Sequence, residues 1–226
     1  MKAQYDMKST LLIVSAILLM LFLGVRFAQA QSWEWQNPLP TGNSLAAVEF
    51  TDANKGWAVG SVGTIIHTTN GGGNWSAQSS GTANDLYGVS FVDANNGWAV
   101  GSTGTILHTI NGGGNWSAQN SGTTNWLFGV AFTDANLGWA VGYQGMILHT
   151  ANGGSSWSVQ SSSTTYDLHG IAFTDANQGW AVGAHGVRRQ HLWDSWSSSI
   201  SGGYGGVSVR RARSRQRRTV GPSDCT

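Results

Sequence analysis

Positive charge is scarce in the long central part of this 226-residue chain. No arginine occurs between Phe27 and Val187, and residues 31–186 contain one lysine, Lys55, against eight carboxylates. A protein that binds nucleic acid needs clustered basic side chains to displace the counterions of the phosphates. We therefore expect no nucleic-acid partner for this acidic segment.

Cysteine and long hydrophobic runs are almost absent as well. The single cysteine, Cys225, excludes an internal disulfide framework, so packing alone must stabilise the fold. The one long apolar run, residues 11–25, is shorter than the roughly 20 residues of a membrane-spanning helix. Two lysines precede it, and an Ala-x-Ala cleavage site ends at Ala30. Residues 1–30 therefore predict a cleaved signal peptide that leaves no membrane span, with an uncleaved N-terminal anchor as the alternative. The predicted location is the periplasm or the extracellular space, or the thylakoid lumen in a photosynthetic host.

What the chain has in abundance is glycine, tryptophan and a repeat of 41 residues. One copy, residues 97–116, reads GWAVGSTGTILHTINGGGNW, and similar strings start at Gly56, Gly138 and Gly179. A period in the forties, with turn residues about every ten positions, is typical of one four-stranded antiparallel sheet per repeat. The sequence therefore predicts an all-β fold, a β-propeller with about 3.5 blades in residues 31–186. The columns that define the period are Leu45, Leu86, Leu127 and Leu168; Phe50, Phe91, Phe132 and Phe173; and Trp57, Trp98, Trp139 and Trp180.

The second repeat shows where the four strands of a blade are expected. They are residues 86–92, 97–101, 105–109 and 116–119. A sheet this small cannot bury both of its faces alone, so it must stack on its neighbours. Residues 33–36 have the Trp-x-x-Gln spacing of a fourth strand, yet they precede any first strand. A lone strand at that place is how a closed propeller is usually sealed, which favours a propeller over the alternative, an open solenoid.

The hairpin between the third and fourth strands follows the pattern Thr-x-Asn-x-Gly-x-x-Trp. This pattern is the Asp-box, or BNR repeat, in which the Asn side chain accepts backbone N–H groups of its own turn and the Trp packs under the hairpin. In sialidases and many secreted propellers it is a folding element remote from the active site, and we predict the same structural role here. The alternative is a weak contact to a metal or a sugar. The motif residues are Thr68, Asn70, Gly72 and Trp75; Thr109, Asn111, Gly113 and Trp116; and Thr150, Asn152, Gly154 and Trp157.

The whole repeat resembles a known family. The string GVSFVDANNGWAVGSTGTILHTINGGGNW, with WEWQNPLPTGNSL upstream, is similar to the photosystem II stability and assembly factors of cyanobacteria and chloroplasts, and especially to their bacterial relatives. The resemblance covers residues 33–186. It implies a seven-bladed, exported propeller whose photosynthetic members bind a newly made reaction-centre subunit and assist assembly without catalysis. Those members are expected to bind through an arginine-containing surface, so no binding residue is transferred to this chain, and a generic protein-binding scaffold is the broader prediction.

The principal alternative is a secreted propeller with carbohydrate-binding or glycoside hydrolase activity. A sialidase-like enzyme needs arginines to hold the substrate carboxylate in a bidentate fork, and residues 31–186 have none. Other glycosidases need a pair of carboxylates, and four acids lie outside the turn columns: Glu34, Glu49, Asp85 and Asp167. We predict no catalytic residue and no cofactor.

Three histidines recur at one strand position, which raises the question of a metal site. His67, His108 and His149 fall in different blades and are therefore expected to lie apart rather than to converge on one ion. We predict that each packs against a neighbouring strand and that the chain has no metal centre.

Five aromatic residues differ between repeats and are candidates for a binding surface. Positions that vary on a repeated scaffold are where a ligand can be recognised, although variable packing between blades is the alternative. The candidates are Tyr87, Trp126, Phe128, Tyr143 and Tyr166.

The fourth repeat departs from the pattern after Gly186. Residues 187–226 contain eight arginines, and the expected Thr-Ile-Leu-His-Thr string is replaced by Val-Arg-Arg-Gln-His. Abrupt loss of the pattern inside a strand favours the hypothesis that these residues are translated out of frame, in which case the chain is a non-functional fragment. A basic tail that binds acidic surfaces and a tail without function are the alternatives. Because missing blades would expose sheet edges, the sequence also predicts self-association.

Overall fold

The structure, a computed structural model, contains four four-stranded antiparallel sheets, one for each repeat. It describes residues 39–184 and the backbone of residues 188–192 and 195–198. In every sheet the spatial order of the strands follows the order of the chain, which confirms the predicted blades. The predicted signal peptide and the strand predicted at residues 33–36 lie outside the described residues.

The strands of each blade are short and similar in length. The first blade contains β1 (Leu45–Phe50), β2 (Gly56–Gly60), β3 (Ile65–Thr68) and β4 (Ser76–Gln78); the second, β5 (Leu86–Phe91), β6 (Gly97–Gly101), β7 (Ile106–Thr109) and β8 (Ser117–Gln119); the third, β9 (Leu127–Phe132), β10 (Gly138–Gly142), β11 (Ile147–Thr150) and β12 (Ser158–Gln160); the fourth, β13 (Leu168–Asp175), β14 (Gln178–Gly183), β15 (Arg188–Leu192) and β16 (Ser195–Ser198).

The second strand of a blade is the most deeply buried. All five residues of β6 are buried, as are those of β2 and β10. A strand enclosed on both faces cannot alternate polar and apolar residues, which is why GWAVG contains only small and apolar side chains. Among residues 39–184, no helix is long and apolar enough to cross a membrane.

The hydrophobic core lies between successive blades. Trp98 of β6 stacks on Phe132 of the next blade, with ring centroids 3.5 Å apart, and on His108 of its own blade, at 4.5 Å. The same stack joins the first blade to the second through Trp57 and Phe91, whose centroids are 3.7 Å apart. Each core cluster of buried side chains therefore belongs to two blades at once.

Hydrogen bonds fix the relative position of two successive blades around each stack. The indole Nε1 of Trp98 donates to the carbonyl oxygen of Gly153 in the hairpin of the third blade, at 3.2 Å. Gln119 of the second blade donates to the same oxygen at 2.8 Å, and its own Oε1 accepts the indole N–H of Trp157 at 3.3 Å. At Gly154 (φ +87°) a Cβ would collide with Gln119, so this position excludes side chains. The hairpin is thus part of the contact between blades.

One face of the first blade has no described blade against it. The repeated leucine of strand one is 43% exposed at Leu45 but fully buried at Leu86, Leu127 and Leu168. Val48 and Phe50 on β1 are also exposed. The repeat therefore buries its first strand only where a preceding blade covers it.

The fourth blade has two more strands than the sequence pattern predicts. β15 pairs with β14 in the register of the earlier blades, because Trp180 pairs with Gln190 as Trp139 pairs with His149. Backbone pairing needs no particular side chain once the preceding strand is in place, so it continues past Gly186, where the sequence motif stops. The hypothesis that residues 187–226 are out of frame stays a prediction.

The Trp98 stack predicts a graded loss of stability. Trp98→Ala leaves a cavity between two blades and is expected to lower the free energy of unfolding by roughly 3–5 kcal/mol. Trp98→Phe keeps an aromatic ring in the stack, and the Gly153 oxygen still accepts the hydrogen bond from Gln119. This variant is therefore expected to lower the free energy of unfolding by only about 1–2 kcal/mol. Urea unfolding measures both. Trp126→Ala, at an exposed site, is the control, and equal costs for the two alanine variants would contradict the account.

Candidate binding surface

Three of the five predicted aromatic side chains come together at the edge where the first strands begin. Tyr87 lies 5.9 Å from Trp126 and 5.7 Å from Phe128, centroid to centroid, and Trp126 lies 6.4 Å from Phe128 in an edge-to-face arrangement. We call these three residues, together with Tyr143, the aromatic cluster.

The first strands of neighbouring blades bring the cluster together. Tyr87 and Phe128 each follow the buried leucine that begins a first strand. Gly88 allows these strands to approach, because a Cβ there would lie 3.0 Å from the carbonyl oxygen of Phe128. His169 occupies the equivalent repeat position in the fourth blade. Its ring centroid lies 5.0 Å from that of Phe128. Sequence reasoning missed His169, although its repeat position was available as a signal.

Trp126 occupies a position where the flanking blades have a structural aspartate. Asp85 accepts the backbone N–H of Val62 in the preceding blade at 2.9 Å, and Asp167 accepts that of Gln144 at 2.8 Å. These bonds satisfy turns in which Val62 and Gln144 have positive φ, a strained conformation for residues other than glycine. Trp126 cannot accept such a bond, so a structural contact is replaced here by an aromatic side chain that is 49% exposed.

A pocket of about 430 Å³ opens beside Trp126. Its aromatic members project into solvent, since Tyr143 is 43% exposed and Trp126 half exposed. The predicted residue Tyr166 is exposed but does not line the pocket, whereas Asp167, which the sequence left as an unassigned carboxylate, does. The lining residues are Thr124, Asn125, Trp126, Phe128, Tyr143 and Asp167.

The motif residues of the repeated hairpins form hydrogen bonds within their own turns, and none of them lines this pocket. In the second blade the hydroxyl of Thr109, which is buried, accepts the N–H of Gly113 at 2.8 Å and donates to Asn111 at 3.0 Å. Asn111 in turn accepts the N–H of Asn115. The hairpins in the first and third blades repeat these bonds.

The recurring histidines pack inside separate blades. His67, His108 and His149 each lie 4.5–4.8 Å from the tryptophan of the adjacent strand, measured between ring centroids. Burial lowers the pKa of His67 and His108, because a charged imidazolium is poorly solvated at these sites. Within residues 39–184, no group of three metal-binding side chains comes together.

The carboxylates outside the aromatic cluster also have structural partners. The turn aspartates of the first three blades accept backbone N–H groups two and three residues ahead, as Asp93 does from Asn95 and Asn96 at 2.7 and 2.8 Å. Together with a bond from the Asn96 amide, which has the largest effect, these bonds lower the pKa of Asp93. Glu49 accepts the N–H of Phe91 in the next blade at 2.8 Å. Burial raises the pKa of Glu49 to about 7, against the opposing effect of this hydrogen bond.

Four-stranded antiparallel blades, stacked face to face through a repeated Trp–Phe contact, define this chain as a propeller-type protein. Three overlapping segments, residues 25–120, 74–163 and 115–195, match the family described as photosynthesis system II assembly factor YCF48. The chain belongs to this family. A search of curated protein sequences returned no match.

Solved structures of family members share the fold. A structure titled "YCF48 bound to D1 peptide" superposes with a TM-score of 0.59 at 21% identity, covering 72% of this chain and 56% of that one. YCF48 from Cyanidioschyzon merolae gives 0.59 at 22%, covering 73% and 59%. The chain thus spans less than two thirds of the length of either. A GH74 enzyme from Niastella koreensis is also similar, with a TM-score of 0.56 at 15% identity over 68% of this chain and 30% of the enzyme.

The raised pKa of Glu49 predicts a pH-dependent effect of Glu49→Gln. Between about pH 4.5, the ordinary pKa, and 7, the unfolded chain releases a proton that the folded chain retains, so Glu49 destabilises the fold as the pH rises. Glutamine does not titrate and still accepts the Phe91 N–H. We expect the variant to be more stable than the wild type at pH 8, on the order of 1 kcal/mol after allowing for solvent screening, and nearly equal to it at pH 4. Urea midpoints at the two pH values measure this, and a difference that does not change with pH would contradict it.

Proposed function

We propose that this protein is an exported, non-catalytic scaffold that binds a protein segment and assists the assembly of a photosystem II-type complex. Two findings support the proposal. The chain belongs to a family of assembly factors, and one solved relative is titled as bound to a D1 peptide. The single observation that carries the site assignment is Trp126, an exposed tryptophan where the flanking blades keep a structural aspartate.

The aromatic cluster has the composition of a protein-binding surface. Exposed Trp and Tyr side chains are enriched among the residues that contribute most to binding between proteins, because they bury large areas with few rotatable bonds. Trp126 and Tyr143 are half exposed and line one pocket, so a partner side chain inserted there would contact both. The proposed interface thus differs in chemistry from an arginine-containing one, since residues 39–184 contain no arginine.

A second candidate function is carbohydrate binding. The fold similarity to GH74 enzymes favours it, and exposed aromatic rings beside amide and carboxylate groups can also stack on sugars. Hydrolysis would further require two carboxylates on one substrate site. Asp85, Asp167 and Glu49 instead each accept a backbone N–H of a neighbouring blade. We therefore favour a protein ligand over a glycan.

The proposed site predicts that Trp126→Ala weakens binding of a protein ligand without unfolding the chain. Isothermal titration of the full chain with a D1 peptide measures the affinity, and a neutral β-glucan oligosaccharide tests the second candidate in parallel. We expect the variant to lose at least tenfold in peptide affinity, as removal of a central tryptophan commonly does. Ile110→Ala is the matched control, because Ile110 is an exposed apolar side chain on a hairpin away from the pocket. Equal affinities of the two variants, or binding of the oligosaccharide alone, would contradict the proposal.

A further inference from the structure

Building on the proposed function, we infer that the pocket beside Trp126 receives a cationic side chain, lysine or arginine, of the bound protein segment. In this arrangement the rings of Trp126, Phe128 and Tyr143 contact the cation, and Asp167 supplies the opposing charge. Three properties of residues 39–184 support this assignment: the aromatic lining, the placement of carboxylates, and the shortage of competing cations.

The aromatic lining suits a positive charge. The face of an aromatic ring carries partial negative charge and attracts ammonium and guanidinium groups, most strongly at Trp. Three of the six residues that line the pocket are aromatic, and two of these, Trp126 and Tyr143, are nearly half exposed. Because the planes of Trp126 and Phe128 meet at 85°, the two rings present surfaces in different directions instead of stacking on each other. A cation in the pocket can therefore lie against more than one ring.

Asp167 lines the pocket, and one of its two carboxylate oxygens accepts a hydrogen bond. Its Oδ1 accepts the N–H of Gln144 at 2.8 Å, which fixes the orientation of the group. Within residues 39–184, no hydrogen bond involves Oδ2 and no cation pairs with this carboxylate. Asp85 is a second acid near the cluster: burial raises the pKa of the Tyr87 hydroxyl, and the charge of Asp85 raises it further. Negative charge thus lies beside the rings on both sides of Trp126.

Residues 39–184, whose side chains the structure describes, offer few cations that could neutralise these acids. Residues 39–184 contain seven carboxylates and a single lysine, Lys55, in a turn of the first blade. The net negative charge of these residues therefore repels an acidic ligand and attracts a basic one over a distance of about 10 Å at moderate salt. A neutral sugar could stack on the same rings and donate a hydroxyl hydrogen bond to Asp167, but it has no positive charge to pair with the carboxylate.

The size of the pocket agrees with a side chain rather than a whole domain. Its volume of about 430 Å³ lies at the lower end of the range for ligand pockets, roughly 300–1,000 Å³. The long aliphatic stem of a lysine or arginine can pack on Phe128 while its charged end reaches Asp167. Such a side chain would be the anchor of a segment that lies across the first strands of the blades.

The experiment compares two capped pentapeptides that differ at one residue, lysine in one and its uncharged analogue norleucine in the other. Each is titrated into the full chain, and the shift of the Trp126 indole N–H resonance reports binding. We expect the lysine peptide to bind at least fivefold more tightly at low salt and to lose most of this advantage in 0.5 M NaCl. Asp167→Asn should remove most of the lysine advantage, leaving the part due to the rings, and should leave norleucine binding unchanged, because asparagine can still accept the Gln144 N–H.

The outcomes separate this inference from the proposed function. Equal binding of the two peptides, lost in Trp126→Ala when isothermal titration is the measurement, would overturn the cation inference and leave the protein-binding site intact. Failure of both peptides and of a D1 peptide to shift the Trp126 resonance would overturn both. A shift caused only by the β-glucan oligosaccharide would also overturn both, in favour of a glycan site.

Discussion

The stack of Trp on Phe between successive blades is the contact on which the rest of this structure depends. A four-stranded blade of 41 residues is too small to bury both faces, so each blade is stabilised by the next. Trp98 illustrates the arrangement: it packs between His108 of its own blade and Phe132 of the following one. The exposure of Leu45, where no described blade precedes, shows that the same sequence leaves apolar surface in water when this contact is missing.

The requirements of this contact explain which positions repeat and which do not. The hairpin carbonyls, the Gln of the fourth strand and the second-strand Trp are linked by hydrogen bonds between blades, so they recur with little variation. The positions on either side of the leucine that begins each first strand lie outside those bonds. They differ from blade to blade and include Tyr87, Trp126 and Phe128. The interior of the repeat therefore determines the architecture, and its variable edge presents the aromatic cluster.

The period and the turn residues were sufficient to predict the blades, with strand ends within one residue of those observed in the second repeat. The pocket was predicted only in part. Variation between repeats indicates Tyr87, Trp126 and Phe128 as candidates, but it does not indicate which side chains meet in space. Asp167 was missed for the same reason, and Tyr166, one residue earlier, lies outside the pocket. The third strand of the last blade was missed because its backbone pairing continues without the usual side chains.

Hydrogen exchange of the tryptophan indole N–H groups, followed by NMR, tests the central claim that the contacts between blades hold the fold together. Trp57 and Trp98 donate to hairpin carbonyls of the next blade and are fully buried, whereas Trp126 is 49% exposed. Exchange from such buried donors requires opening of the contact between blades. We predict that the indole protons of Trp57 and Trp98 exchange as slowly as the amides of the central strands, while that of Trp126 exchanges at the solvent rate. Equal and rapid exchange of all three would contradict the account.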